Sequence, residues 1–178
     1  MPHIIEPASS GRAKCRACGG KIAAGALRFG ERLPNPFADE GGEMTHWYHL
    51  PCAAYRRPEA FLELVESVDG PAIDDRERLV REARLGVEHR RVPRVSSAGC
   101  APTGRATCRA CKSLIEKGVW RIALVFYEEG RFSPGGFVHA TCAATYFETA
   151  EILARLKHFS PEMSEEDLVQ LGGLIRPD

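Results

Sequence analysis

The sequence predicts two small α+β modules in tandem, each a small antiparallel sheet followed by helices. Three observations support this. The phrase Gly11-Arg12-Ala13-Lys14-Cys15-Arg16-Ala17-Cys18 recurs as Gly104-Arg105-Ala106-Thr107-Cys108-Arg109-Ala110-Cys111, changed only at its fourth position. Each copy is followed downstream by a His-x-x-Cys pair, His49/Cys52 and His139/Cys142. A chain of 178 residues gives each copy a half too small to rely on a large core, the size at which a metal or a disulfide often staples the fold.

Residues 1–10 read as a lead-in, 11–90 as the first module with a helical extension, 91–103 as a linker and 104–178 as the second module with a helical tail. In the first module, Ala26–Gly30 and Met44–His49 read as strands around a loop of breakers, Pro34 to Gly42. Pro58 suits the first position of a helix carrying Phe61, Leu64, Val65 and Val68 on one face. A second helix is expected from Asp74, as its cap, to about Arg90, with Leu79, Val80, Ala83 and Val87 as its apolar stripe. Two prolines, two serines and a glycine mark the linker. In the second module, Val119–Tyr127 is the strongest strand signal, and Gly135-Gly136 precede a short strand into His139. Tyr146, Phe147, Ala150, Leu153 and Leu156 predict one helix over 143–157. Ser164, with Asp167 three residues on, caps a last one.

The residues Cys15, Cys18, His49 and Cys52, and again Cys108, Cys111, His139 and Cys142, form two Cys₃His sets. Thiolate and imidazole donors in that ratio suit structural, tetrahedral Zn²⁺. Four protein ligands leave no open coordination position, so no catalytic role is assigned to the metal or to any residue. The intervals between Cys18 and His49 and between Cys111 and His139 are long enough to hold a hairpin each. Structural zinc contributes ~10–16 kcal/mol per site, so each module should depend on it to fold. The sequence opens without a basic, apolar leader and has no run long enough to span a bilayer. A reduced, intracellular setting is therefore expected, where CxxC spacing means metal or redox chemistry rather than a disulfide framework. The seventh cysteine, Cys100, reads as a bystander.

Net charge is zero, but its distribution is uneven. Gly11–Arg32 carries six basic residues and one acid, Arg105–Arg121 five and one, whereas 143–178 is acidic. Positive charge collects around the cysteine motifs, the kind of local patch that phosphate contacts use.

With these residues in hand, the chain resembles the zinc fingers of poly(ADP-ribose) polymerases (PARP-type fingers), related to fingers of a nuclear DNA ligase. Gly-Arg-Ala-x-Cys-x-x-Cys, an arginine on the following strand, and Trp47-Tyr48-His49-x-x-Cys52 carry the resemblance. The second copy has Phe137-Val138 at the Trp-Tyr position and a shorter loop. The resemblance implies sequence-independent binding to DNA strand breaks (nicks, gaps and ends), a damage-sensing or repair-accessory role beside repair enzymes, and a DNA-associated location in nucleoid or nucleus. The enzymatic domain of those polymerases is not expected, since 178 residues leave no room for it beside the two modules. By position, Arg12 and Arg28, with Arg105 and Arg121, would grip phosphates. Lys14, Arg16 and Arg109 extend the basic set. Phe37 and Met44 in the first module, and Phe132 and Pro134 in the second, would stack on the base pair that a break exposes; the alternative for Phe37 and Met44 is the finger's own small core. Two other expectations remain open at this point: a zinc-stapled protein-interaction adaptor that does not bind DNA, and a CxxC thiol oxidoreductase.

Overall fold

The computed structural model describes residues 3–35, 42–66 and 72–176. The chain divides into two compact units, one formed by 1–88 with 129–131 and the other by 89–128 with 132–178.

The first unit is built on a three-stranded antiparallel sheet. Its strands are β1 (Ile4–Pro7), β2 (Leu27–Pro34) and β3 (Glu43–His49), in the order β1-β2-β3. The predicted lead-in thus contains a strand, with Ile5 opposite Phe29 and Glu6 opposite Arg28. Three helices follow: α1 (Leu50–Arg56), α2 (Pro58–Val65) and α3 (Arg76–Glu88). Pro58 opens α2 as expected, where its missing N–H costs nothing. Phe29 is the centre of the core: its ring lies 5.9 Å from Phe61 and 6.1 Å from Tyr48, all three fully buried. Leu79 and Ala83 of α3 are buried on the helical side, two of the four residues of the predicted stripe. A buried carboxylate, Glu31, ties sheet to helices. It accepts from Arg57 Nε at 2.8 Å and from an Arg57 terminal nitrogen at 2.6 Å, and the Tyr48 hydroxyl donates to it at 3.2 Å.

The second unit repeats the sheet. Residues 91–103, expected as a linker, instead hold a 3₁₀ turn (Val92–Arg94) and strand β4 (Val95–Cys100). The sheet order is β4-β7-β8, with β7 (Trp120–Glu128) central and β8 (Arg131–His139) its hairpin partner. A two-stranded ribbon, β5 (Ala106–Thr107) and β6 (Leu114–Ile115), carries the CxxC turn. A 3₁₀ turn (Ala140–Cys142) leads into α4 (Ala143–Phe147), then α5 (Leu153–Phe159) and α6 (Glu165–Ile175). The single helix expected over 143–157 is two, because Glu148 takes a left-handed conformation (φ 61°) and ends α4. The capping box of Ser164 and Asp167 is present at α6. The core runs from Val95, Ile122, Leu124 and Val138 on the sheet to Phe147, Ile152, Leu156, Leu171 and Ile175 on the helices. Among the described residues no helix is long and apolar enough to cross a membrane.

Candidate metal centres and nucleic-acid interface

Each CxxC turn is shaped by its backbone. In the first, the Cys15 N–H donates to Gly20 O at 2.8 Å and the Gly19 N–H donates back to Cys15 O at 2.8 Å. In the second, Cys108 N–H reaches Ser113 O at 2.8 Å and Lys112 N–H reaches Cys108 O at 3.0 Å. The residue after the second cysteine turns left-handed in both, Gly19 at φ 72° and Lys112 at φ 66°. The Lys112 ammonium donates to Arg109 O at 2.8 Å across this turn.

The ligand sets close as the spacing requires. Among the described residues, Cys15, Cys18, His49 and Cys52 form one group, and Cys108, Cys111, His139 and Cys142 another, with donor atoms within 4.8 Å of one another in each. His49 Nδ1 lies 3.4 Å from Cys18 Sγ and 3.9 Å from Cys52 Sγ. His139 Nδ1 lies 3.4 Å from Cys111 Sγ and 3.8 Å from Cys142 Sγ. Tetrahedral zinc, with bonds of about 2.3 Å to sulfur and 2.0–2.1 Å to nitrogen, puts sulfur and nitrogen about 3.6 Å apart. With its proton on Nε2, His49 donates to Lys21 O at 3.1 Å, so that Nδ1 offers its lone pair to the thiols. In the second site the backbone N–H of His139 donates to Cys108 Sγ at 3.3 Å.

Crowding splits the thiol acidities. A hydrogen bond from Cys52 holds Cys15 down at about 4, and the same contact pushes Cys52 far up. Burial raises Cys18. In the second site the Ser113 N–H holds Cys111 down at about 6, while burial pushes Cys142 up to about 11. Three thiols so close need a central cation to ionise together, and a divalent metal supplies it. The donor set, the distances and the left-handed turns all fit zinc. The chain therefore holds two structural Cys₃His zinc sites, and none of its seven cysteines is in a disulfide.

The arginines after the sites share a second geometry. The Arg28 guanidinium stacks 3.5 Å from the centroid of Trp47, and that of Arg121 stacks 3.7 Å from Phe137. Trp47 and Phe137 each lie two residues before the ligand histidine, so Phe137 takes the shelf position of Trp47. Gly30 makes room for that ring: a Cβ there would come within 2.6 Å of Trp47 and 2.8 Å of Ile4. The two CxxC loops are pinned to these shelves, Arg16 N–H to Trp47 O at 2.9 Å and Arg109 N–H to Phe137 O at 2.8 Å.

Residues 6–90 match the zinc-finger region of poly(ADP-ribose) polymerase and DNA ligase. The first module belongs to the PARP-type zinc-finger family. The relatives extend the match into the second module. Poly(ADP-ribose) polymerase 1 of Gallus gallus is 30% identical over 138 residues, 68% of this chain and 13% of that polymerase. The polymerase of Sarcophaga peregrina is 27% identical over 164 residues, 81% of this chain and 16% of its own length. Poly(ADP-ribose) polymerase 1 of Oryza sativa subsp. japonica is 28% identical over 156 residues, 84% of this chain and 16% of its own. The chain thus spans between an eighth and a sixth of these relatives, and the aligned part is their zinc-finger region.

The basic residues of the tandem fingers are not equally available. Arg12, Lys14, Arg105 and Arg109 have exposed side chains. Arg16 is exposed but its guanidinium contacts His46 Nε2 at 3.2 Å. Arg28 is buried and paired with Glu6 at 2.6 Å. Arg121 is half-buried, and burial lowers its pKa. Of the expected stacking residues, Met44 is half-buried on β3 opposite Leu33. Phe132 packs 4.8 Å from Tyr127, and Pro134 is exposed on β8. Phe37 lies outside the described residues. The aromatic shelves and the Glu6 contact are absent from the sequence reading; the matching aromatic two places before each ligand histidine was the available signal for the shelves.

Proposed function

We propose that the protein is a non-enzymatic, zinc-dependent binder of DNA strand breaks. The observation that carries the reading is the exposed basic rim beside each zinc site. Arg12 and Lys14 lie just before the first CxxC turn, and Arg105 and Arg109 lie before and within the second. Arginine forks onto phosphate oxygens and keeps its charge at any physiological pH. Such contacts position a protein on the backbone without reading sequence. Specificity for breaks would come from apolar side chains covering a base pair exposed where stacking is interrupted, worth ~1–3 kcal/mol per base. Phe37 and Met44 are assigned that role in the first module, Phe132 and Pro134 in the second. The protein would act on DNA alongside repair enzymes, and the closed ligand sets keep the metal out of chemistry.

The test compares binding to nicked, gapped, blunt-ended and intact duplexes of one sequence, with and without a zinc chelator. Preference for interrupted duplexes, abolished by chelation, supports the reading. Equal affinity for nicked and intact DNA overturns the break specificity. Absence of binding at moderate salt overturns DNA as the partner and leaves the adaptor reading. Phe37→Ala should lower discrimination between nicked and intact DNA more than it lowers overall affinity.

A further inference from the structure

The two modules treat equivalent arginines differently. Arg28 and Arg121 occupy the same place in each sheet, after the CxxC turn and over the aromatic shelf. The residue directly across from Arg28 on the outer strand is Glu6; the one across from Arg121 is Gly99. Glu6 Oε1 accepts from a terminal nitrogen of Arg28 at 2.6 Å. Among the described residues Arg121 meets no carboxylate, and its guanidinium lies on the Phe137 ring. The Glu6 contact is also incomplete, because among the described residues the buried Arg28 Nε has no hydrogen-bond acceptor. An oxyanion that touches two guanidinium nitrogens can outcompete a carboxylate that touches one.

We propose that Glu6 is an internal surrogate for phosphate: it occupies Arg28 in the free protein, so the first module grips the backbone through Arg28 only by giving up this ion pair, whereas Arg121 in the second module is open from the start. This rests on the DNA-binding reading. It adds a specificity-determining residue to it: the first module's grip is conditional on a contact good enough to displace Glu6. Cross-strand pairs of opposite charge are individually weak, so removing the Glu6 charge costs the fold little and frees Arg28 for a phosphate.

The exchange can be tested in both directions in the full chain. Glu6→Gln removes the competing charge. It should tighten binding to a nicked duplex by about two- to fivefold. It should also steepen the slope of log affinity against log salt by about 0.9, one additional phosphate contact. The gain should vanish when Arg28→Ala is added. Gly99→Glu builds the same latch in the second module, where a Cβ meets nothing within 4 Å. It should weaken binding about two- to fivefold and flatten the slope by about 0.9. Zinc content of both variants, read by metal analysis, confirms that the sites are intact. Unchanged slopes in zinc-loaded Glu6→Gln and Gly99→Glu, with wild-type binding present, overturn the surrogate and spare the DNA reading. Wild-type protein that binds no duplex at low salt overturns both. Should Glu6→Gln fail to fold, Gly99→Glu alone decides.

Discussion

Salt dependence is the measurement on which the placement of each cation can be read. Seven basic side chains are assigned to phosphate by position: Arg12, Lys14, Arg16, Arg28, Arg105, Arg109 and Arg121. If all seven released a counterion, log affinity would fall with log salt at a slope of about −6.3, and affinity would drop about 6,000-fold between 50 and 200 mM salt. The structure argues for fewer. Arg28 is committed to Glu6 and Trp47, and Arg16 to His46. Five remain, giving a slope of about −4.5 and a drop of about 500-fold over the same range.

The assay is a fluorescence-anisotropy titration of a labelled nicked duplex at several monovalent salt concentrations. Arg105→Ala and Arg109→Ala should each flatten the slope by about 0.9 and leave two zinc ions bound. A wild-type slope near zero would refute phosphate gripping altogether. A slope near −6 would refute the claim that internal contacts hold Arg16 and Arg28 back, and with it the reasoning from Glu6.

Other perturbations test the fold beneath the interface. Cys108→Ala should lower the zinc content from two ions to one, and the second module's amides should lose protection from hydrogen exchange while the first module's persist. Glu31→Gln leaves Arg57 and the Tyr48 hydroxyl without their shared carboxylate and should destabilise the first module by about 3–4 kcal/mol in a denaturant titration. Zinc affinity should fall as pH is lowered from neutral, because protons compete for the thiolates and imidazoles that bind the metal; a metal-indicator competition at several pH values measures it. Lys112→Gly removes a left-handed side chain but also its hydrogen bond to Arg109 O, so its stability should stay within about 1 kcal/mol of wild type.

The metal ligands were legible because coordination chemistry fixes both residue type and spacing, and the repeat states the pattern twice. The long strand Trp120–Glu128 and the capping box at Ser164 were legible because each is a local signal. The outer strands were not. Ile4–Pro7 is four residues ending in proline, and Val95–Cys100 reads Val-Ser-Ser-Ala-Gly-Cys. Neither has the alternation of a half-buried strand; each is a strand because a long central strand lies beside it, a tertiary effect that local propensity cannot carry. The break at Glu148 is similar, since a left-handed glutamate announces nothing in sequence. The basic patches could be counted from the chain, but not which of their members were already spoken for.

That last point bears on how a duplicated module diverges. The two copies keep the ligands, the CxxC turn, the aromatic shelf and the arginine above it. They differ in what faces the cations. Glu6 stands across from Arg28 where Gly99 stands across from Arg121, and His46 meets Arg16 where Gly136 lies against Arg109. At Gly136 a Cβ would sit 3.0 Å from Arg109 Nε, in a backbone at φ 88°. A side chain there would crowd that arginine. Both differences act in one direction: in the first module Arg28 and Arg16 each meet a side chain within the fold, and in the second Arg121 and Arg109 face glycines. The ligands and the packing are alike in the two folds, so a single facing residue is enough to change what an equivalent arginine meets, and on the DNA-binding reading proposed above that difference would make the two fingers unequal.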